Sequence, residues 1–297
     1  MGSLPKLLLS LTASTRLLVI SPHPDDGTLG AGGLIARAAA AHASVRVVQM
    51  TSGDAFSEGV KRADRTTSPT ASEYRAYGER RERETVSALG ALGIKSTSIA
   101  FLGFPDEGLC QLTSRYTWTE FVSPYTRRSS PPPQEQRVRG VEYRGRDATL
   151  ELVRIIESFA PTVVVLPDPA DEHPDHCATH MLVHQALAEA ERQNYALHPR
   201  ELHYVIHSGE WPLSNGVPPT STLSPPSRFR HDAAWRTLPL TKRERQAKRR
   251  ALHAYETQML MIGTFMRAFD NDNELFVDGE PATPPACWCE GSNISRP

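Results

Sequence analysis

The chain of 297 residues is short of cysteine, of long apolar runs and of net charge, and each shortage excludes something. Its four cysteines, Cys110, Cys177, Cys287 and Cys289, are too sparse to read as a disulfide framework. Cys287 and Cys289 lack the two-residue spacing of a zinc knuckle, and Cys177 is expected to pack as a small apolar side chain. No apolar run approaches the ~20 residues of a membrane span. Lys6 and the leucines that follow resemble the start of a signal peptide, but the apolar part is short and no Ala-x-Ala site precedes the first strand; the expected location is cytoplasmic. Lys plus Arg number 33 against 34 Asp plus Glu, so whole-chain electrostatics make no case for a nucleic-acid partner. A dinucleotide loop is missing too. Gly30-Ala31-Gly32-Gly33 departs from Gly-x-Gly-x-x-Gly, and Asp25-Asp26 would repel a pyrophosphate. These glycines read instead as room for close helix–sheet packing.

What is present is a repeated grammar at two strand tips. Leu17-Leu18-Val19-Ile20 leads through Ser21-Pro22-His23-Pro24-Asp25-Asp26 into a helical run. Pro24 biases His23 away from helix and suits a first helical position, with Asp25 and Asp26 in the first turn where the dipole favours anions. Val163-Val164-Val165-Leu166 leads through a polar turn into His173-Pro174-Asp175-His176 and a second helix. His173 and His176 are three apart and share a helical face. Two tips carrying His and Asp can supply a three-ligand site with an open position, the pattern of catalytic zinc. His180 and His184 continue the His176 spacing but point further down the helix, away from the tip, and are assigned no metal role. His207 and Asp54 are read as structural or peripheral.

The two boxes resemble those of the LmbE/PIG-L family of zinc-dependent de-N-acetylases, whose pattern is an early His-Pro-Asp-Asp-Glu and a later His-x-Asp-His. The resemblance implies one Zn2+ per chain held by His23, Asp26 and His176, with Asp25 as general base and His173 stabilising the oxyanion. Arg81-Glu82-Arg83-Glu84 is similar to the family's Arg-x-x-Glu helix and the run ending in Asp106 to its strand ending in Asp, which implies Arg81 and Asp106 as contacts to a sugar substrate. The similarity covers roughly residues 16–190. One departure stands out: the Glu after the two aspartates is Gly27 here, which leaves the implied ligand set intact.

Strands are expected at residues 16–21, 45–50, 98–102, 163–166, 201–207 and 235–240, alternating with helices at about 24–41, 73–92, 147–159, 174–192 and 241–261. Thr241 with Glu244 forms a capping box, Gly93 a C-cap and Asp147 an N-cap. Such alternation predicts an α/β fold with a Rossmann-like, mostly parallel sheet and helices on both faces. Residues 1–15 read as an unstructured lead-in. Residues 55–71 and 103–146 read as aperiodic walls of a pocket at the carboxyl ends of the strands. A single α/β domain is expected, with a core at about 16–207 and a C-terminal extension at about 208–297. The expected activity is hydrolysis of an N-acetyl group on an N-acetylglucosamine-type sugar or conjugate, with no nucleic-acid partner. A metalloamidase acting on a non-sugar substrate, or a metal- or sugar-binding protein without turnover, are the alternatives. Retention of Asp25 argues against the last, since a binder needs no base.

Overall fold

Strand β1, Arg16–Ser21, is apolar at every interior position and buried on both sides. Leu17 and Val19 enter one cluster of buried side chains, Leu18 and Ile20 another, as the two-residue period of a strand requires. A strand covered on both faces is the signature of a parallel sheet. In this computed structural model, which describes residues 4–279 apart from 137, 195, 215, 220 and 228–234, β1 is an interior strand of a seven-stranded sheet, third from one edge. β2 (Ser44–Thr51), β3 (Ile99–Phe104), β4 (Val163–Pro167) and β5 (Arg200–Tyr204) run parallel to it, while β6 (Trp235–Pro239) and β7 (Asn273–Asp278) are antiparallel additions at one edge. The order is β3-β2-β1-β4-β5-β7-β6. The chain order therefore reverses between β1 and β4, and the crevice beyond the carboxyl ends of those two strands is where ligands bind in such sheets. Both sequence boxes sit there.

Helices α1 (Asp26–Ala40), α3 (Ala71–Ala91) and α7 (Lys242–Ala254) cover the Leu17 face, and α4 (Leu109–Thr113), α5 (Gly145–Phe159) and α6 (Pro174–Gln193) cover the Leu18 face. Helices α2 (Ser57–Asp64) and α8 (Glu256–Arg267) pack against each other. The expected capping box at Thr241–Glu244 is present, and α3 starts with another, Thr70–Glu73. No helix is long and apolar enough to cross a membrane among the described residues.

The glycines after Asp26 serve packing, as expected. A Cβ at Gly30 would lie 2.6 Å from the ring of Tyr204 on β5, inside any real contact distance. The helix breaks at Ala31 (φ −138°, ψ 15°), and the break frees backbone donors: the N–H groups of Gly33 and Leu34 donate to the Glu274 carboxylate of β7 at 2.7 and 2.9 Å. Lys248 of α7 donates to Glu274 Oε1 and to the Leu29 carbonyl, both at 2.7 Å. Lys248 and Glu274 are each 1% exposed. The C-terminal extension thus clamps the helix that begins at Asp26.

Several expectations change. Pro24 is not the first helical residue; Asp25 is the N-cap and α1 starts at Asp26. Likewise Arg144, not Asp147, caps α5. Residues 55–71 hold α2 and residues 103–146 hold α4, so neither is purely a loop. The helix expected at 241–261 divides at Tyr255 into α7 and α8. The fifth strand stops at Tyr204, and β7 was not foreseen because a buried Glu274 interrupts its apolar pattern. The lead-in is tied to β6, with the Leu7 N–H donating to the Thr237 carbonyl at 2.8 Å and Leu7 in the core. Cys110 and Cys177 are each disulfide-bonded, contrary to the expectation of a small apolar role for Cys177; Cys287 and Cys289 lie outside the described residues.

Removing Lys248 leaves Glu274 buried without its counter-charge, which costs about 3–5 kcal/mol. Arg249, next in sequence, makes an ion pair with Asp270 from a half-exposed position, and such a pair contributes at most about 1 kcal/mol. Urea denaturation of Lys248→Ala and Arg249→Ala is expected to show that contrast; equal losses would remove the clamp from the account.

Candidate metal centre and pocket

His23 stands two residues past the end of β1, held by its own backbone: its N–H donates to Asp26 Oδ2 at 2.8 Å, and Ser21 Oγ donates to the His23 carbonyl at 2.7 Å. The same Asp26 oxygen lies 2.9 Å from His23 Nδ1 and 3.0 Å from His176 Nε2. One carboxylate oxygen therefore joins a His from each box. His173 caps α6 with its ring, Nδ1 accepting from the Asp175 N–H at 3.2 Å. The rings of His23, His173 and His176 stand 4.7 to 5.3 Å apart, and each offers a ligand atom within one 4.8 Å cluster.

The two neighbouring carboxylates are separated in function by what they face. Asp26 faces imidazoles. Asp25 Oδ1 accepts from the Arg81 guanidinium at 2.7 Å, while a second Arg81 nitrogen donates to the Gly53 carbonyl at 2.7 Å. Burial pushes the Asp25 carboxyl up, and Arg81 opposes it. Burial would also raise Asp26, but His176 and His23 outweigh it and hold Asp26 well below the usual carboxylate range. Burial alone would lower His176, yet Asp171 and Asp26 carry it to about 9. His173 goes the other way: burial, then the neighbouring His23 and His176, keep it well below its ordinary value and neutral. With its Nδ1 taken as an acceptor, neutral His173 carries its proton on Nε2.

The donor set fits a metal ion. His176 is fully buried, yet neither of its ring nitrogens makes a hydrogen bond of acceptable geometry, although Nδ1 lies 3.1 Å from Asp171. Around zinc, tetrahedral ligand atoms sit about 3.3 Å apart, close to the spacing of Asp26 Oδ2 from the two imidazoles. Asp171 has the position of a supporting carboxylate behind a ligand; its Oδ2 also accepts from the Ile206 and His207 N–H groups at 2.7 and 3.1 Å.

A pocket of about 230 Å³ opens over these groups. His23, Asp25, Asp26, Arg81, Asp106 and His173 all line it, so of the seven residues singled out in sequence only His176 lies beneath its surface. Arg81 and Asp106, however, are committed to protein partners. Asp106 accepts from the Ala55 N–H at 2.6 Å and lies 3.2 Å from His23 Nε2. Residues not foreseen complete the walls: Phe56 before α2, Gln258, Ile262 and Phe265 of α8, and His207, whose ring stacks on Phe265. His207 is thus part of the pocket rather than peripheral, whereas Asp54 does not line it. Nothing local in the sequence marks α8 as a wall, because it begins at Glu256, far beyond β4, the strand that leads into the second box and ends at Pro167. Asp171 lies in the polar turn just before the second box and could have been read as a support for His176.

The comparisons with known proteins follow this geometry. A family profile described as GlcNAc-PI de-N-acetylase (PIG-L) matches residues 18–187, more than half of the chain. The chain belongs to that family. Among curated relatives, 1D-myo-inositol 2-acetamido-2-deoxy-alpha-D-glucopyranoside deacetylase of Mycolicibacterium paratuberculosis is 34% identical over 168 residues, 56% of this chain and 49% of its own length. The chain spans about half the length of the first curated relatives it matches. The Kribbella flavida deacetylase of the same name is 27% identical over 89% of both chains. The solved N,N'-diacetylchitobiose deacetylase of Pyrococcus horikoshii superposes with a TM-score of 0.55 at 19% identity, covering 91% of this chain and 84% of that one; at that identity the likeness shows the fold. Both boxes fall inside the matched PIG-L region, while the α8 wall falls outside it.

If Arg81 serves Asp25, replacing it by Met leaves a buried carboxylate without a counter-charge, and its pKa rises further above that of the unfolded chain. Protonation then relieves the cost, so the stability deficit of Arg81→Met is expected to be about 3–5 kcal/mol at pH 7 and to shrink as pH falls through the raised pKa. Denaturation of wild type and variant across pH, with carbon-13 titration of Asp25, measures both; a deficit that does not depend on pH would separate Arg81 from Asp25.

Proposed function

We propose that this PIG-L family protein is a zinc-dependent hydrolase that removes the N-acetyl group from an N-acetylglucosamine unit of a sugar conjugate. The observation that carries the reading is the division of Asp25 and Asp26 at the switch point of the sheet. One is turned to two imidazoles and the other to an arginine, and both line the same pocket. Metal holding and proton transfer need that separation, because a carboxylate spent as a ligand is a poor base. The acetamido-sugar substrates in the names of the curated relatives support the choice of acyl group and ring.

In this reading His23, Asp26 and His176 hold the zinc. The chemistry supplied by the ion when bound is acidification of a water and polarisation of the scissile carbonyl. Asp25, oriented through Oδ1 by Arg81, takes the proton of the attacking water on its other oxygen and delivers it to the departing amine nitrogen. An amine leaves poorly unless protonated, so one residue serves both half-steps. His173 donates from Nε2 to the carbonyl oxygen as negative charge develops there. In this reading Arg81 acts through Asp25, whereas the family resemblance implied a direct sugar contact. Asp106 positions His23 and the Ala55 backbone. The sugar is left to the remaining walls: Phe56 and Phe265 offer apolar faces and Gln258 an amide. At about 230 Å³ the pocket is smaller than the ~300–1,000 Å³ of sites for drug-sized ligands, which suits one pyranose ring with the rest of the conjugate outside. A cytoplasmic setting belongs to the proposal only if Cys110 and Cys177 can be reduced without loss of fold, since disulfides are rare in reducing compartments.

Acetate release, measured across N-acetylglucosaminyl-inositol, N,N'-diacetylchitobiose and simple N-acyl amides, tests the reading. Release from the sugars alone is expected; turnover of the amides in preference would replace the sugar, and no turnover with zinc bound would make the protein a binder. Asp25→Asn is expected to lower kcat by about 10²–10⁴-fold while zinc stays bound. His176→Ala is expected to lose zinc from this site and activity together. Loss of that zinc in Asp25→Asn would make Asp25 a ligand and exchange the two roles.

A further inference from the structure

A second set of imidazoles lies on the same helix, beyond the pocket. His180 and His184 follow His176 at successive intervals of four, so they line one face of α6 at about 6 Å and 12 Å along its axis from His176. They do leave the strand tip, as the sequence suggested, but that face packs on β5, where Glu201 and His203 point to the same side two residues apart. The ring centroids of His180 and His184 are 4.2 Å apart, and His203 lies 5.3 Å from His180 and 6.2 Å from His184. One ligand atom from each falls within a 4.8 Å cluster. Glu201 Oε2 lies 3.0 Å from His184 Nε2 and 3.4 Å from His203 Nε2.

A helix-on-strand contact ordinarily uses aliphatic side chains, as α6 does with Leu182 and Val183. Three imidazoles in such a place give up hydration without apolar compensation. His203 is 0% exposed, and its Nδ1 has no hydrogen-bond partner, the kind of vacancy that buried polar atoms rarely leave. Its other nitrogen faces Glu201, and the Nδ1 of His180 lies 3.2 Å from the Pro167 carbonyl. In both rings one nitrogen is anchored by an oxygen and the other carries a lone pair, which is how metal-bound histidines are held by their surroundings.

We propose that His180, His184 and His203, with Glu201 supporting the His203 ring from behind, form a second divalent-metal site. It is separate from the pocket and takes zinc or another ion that prefers imidazole. Three imidazole nitrogens make a set that suits such an ion, with the fourth position left to solvent. The partly exposed edge of His184, 24% accessible, gives the ion its way in. Binding draws in donor atoms that now stand up to 4.8 Å apart toward the roughly 3.3 Å of tetrahedral zinc. It joins α6 to β5 and so braces the helix that His173 caps and whose first turn carries His176. The two sites share no ligand.

The test is a zinc count on the full chain, stripped with chelator, reloaded with Zn2+, desalted and analysed by mass spectrometry. His23→Ala, which disables the pocket site, is expected to retain one zinc per chain, and His23→Ala/His184→Gln none. His184→Asp, which keeps a ligand, is expected to restore that zinc. In the otherwise unaltered protein, His184→Gln should lower the count by one, and the zinc-dependent rise in Tm that His23→Ala still shows should be absent from the double variant. A His23→Ala protein that binds no zinc overturns the proposal. So does a double variant that keeps its zinc, or a His184→Gln protein whose count equals that of the unaltered chain.

Discussion

The structure depends on the burial of two adjacent carboxylates at the tip of β1. Asp25 and Asp26 are 5% and 3% exposed, and two like charges side by side out of water are tolerable only if opposite charges or donors meet each of them. The chain supplies these from distant places: Arg81 from α3, His176 from α6, and His23 from the preceding turn. Even the backbone of the turn is held from afar. Tyr204 of β5 donates to the Ile20 carbonyl and Tyr255 to the Pro24 carbonyl, each at 2.9 Å. Two helices, a sheet strand and Tyr255 thus converge on residues 20–26.

That convergence gives the C-terminal extension a role beyond covering the sheet. Lys248 and Glu274 grip α1 where it breaks, and α8 brings Gln258, Ile262 and Phe265 to the pocket. Glu84 of α3 accepts from the Thr257 N–H and hydroxyl at the start of α8, at 3.0 and 2.7 Å. The pocket wall and the helix bearing Arg81 are therefore one connected piece. The absent family glutamate fits this crowding. A Cβ at Gly27 would stand 3.3 Å from both Ser21 Oγ and Val19 Cγ1, and Ser21 Oγ already accepts from the Gly27 N–H at 2.8 Å. A side chain at this position would press on the turn that presents His23.

Much of this was legible before any coordinates. The apolar runs at β1 and β4, the His-Pro turns after them and the spacing of His173 and His176 are local facts, and local facts survive into the fold. The parallel, two-sided sheet followed from alternation of strands and helices, and the glycines after Asp26 did mark a close approach. The failures share one cause. β7 was hidden by Glu274, whose burial makes sense only with Lys248 and the broken helix beside it. That Arg81 would meet Asp25 was not visible, because an arginine in sequence carries no sign of which carboxylate it will meet. His207 looked peripheral because its neighbour Phe265 lies on another element, fifty-eight positions away.

By itself the sequence determined which residues stand at strand tips and which chemistry those residue types can perform, since both depend on neighbours within one turn of chain. Only the tertiary structure decided which carboxylate faces the imidazoles and which the guanidinium. It also decided which helix closes the pocket and that His180, His184 and His203 meet at all. Those outcomes depend on the order of strands in the sheet, and the order is set by how the strands and helices bury their apolar faces together, a condition no single segment contains.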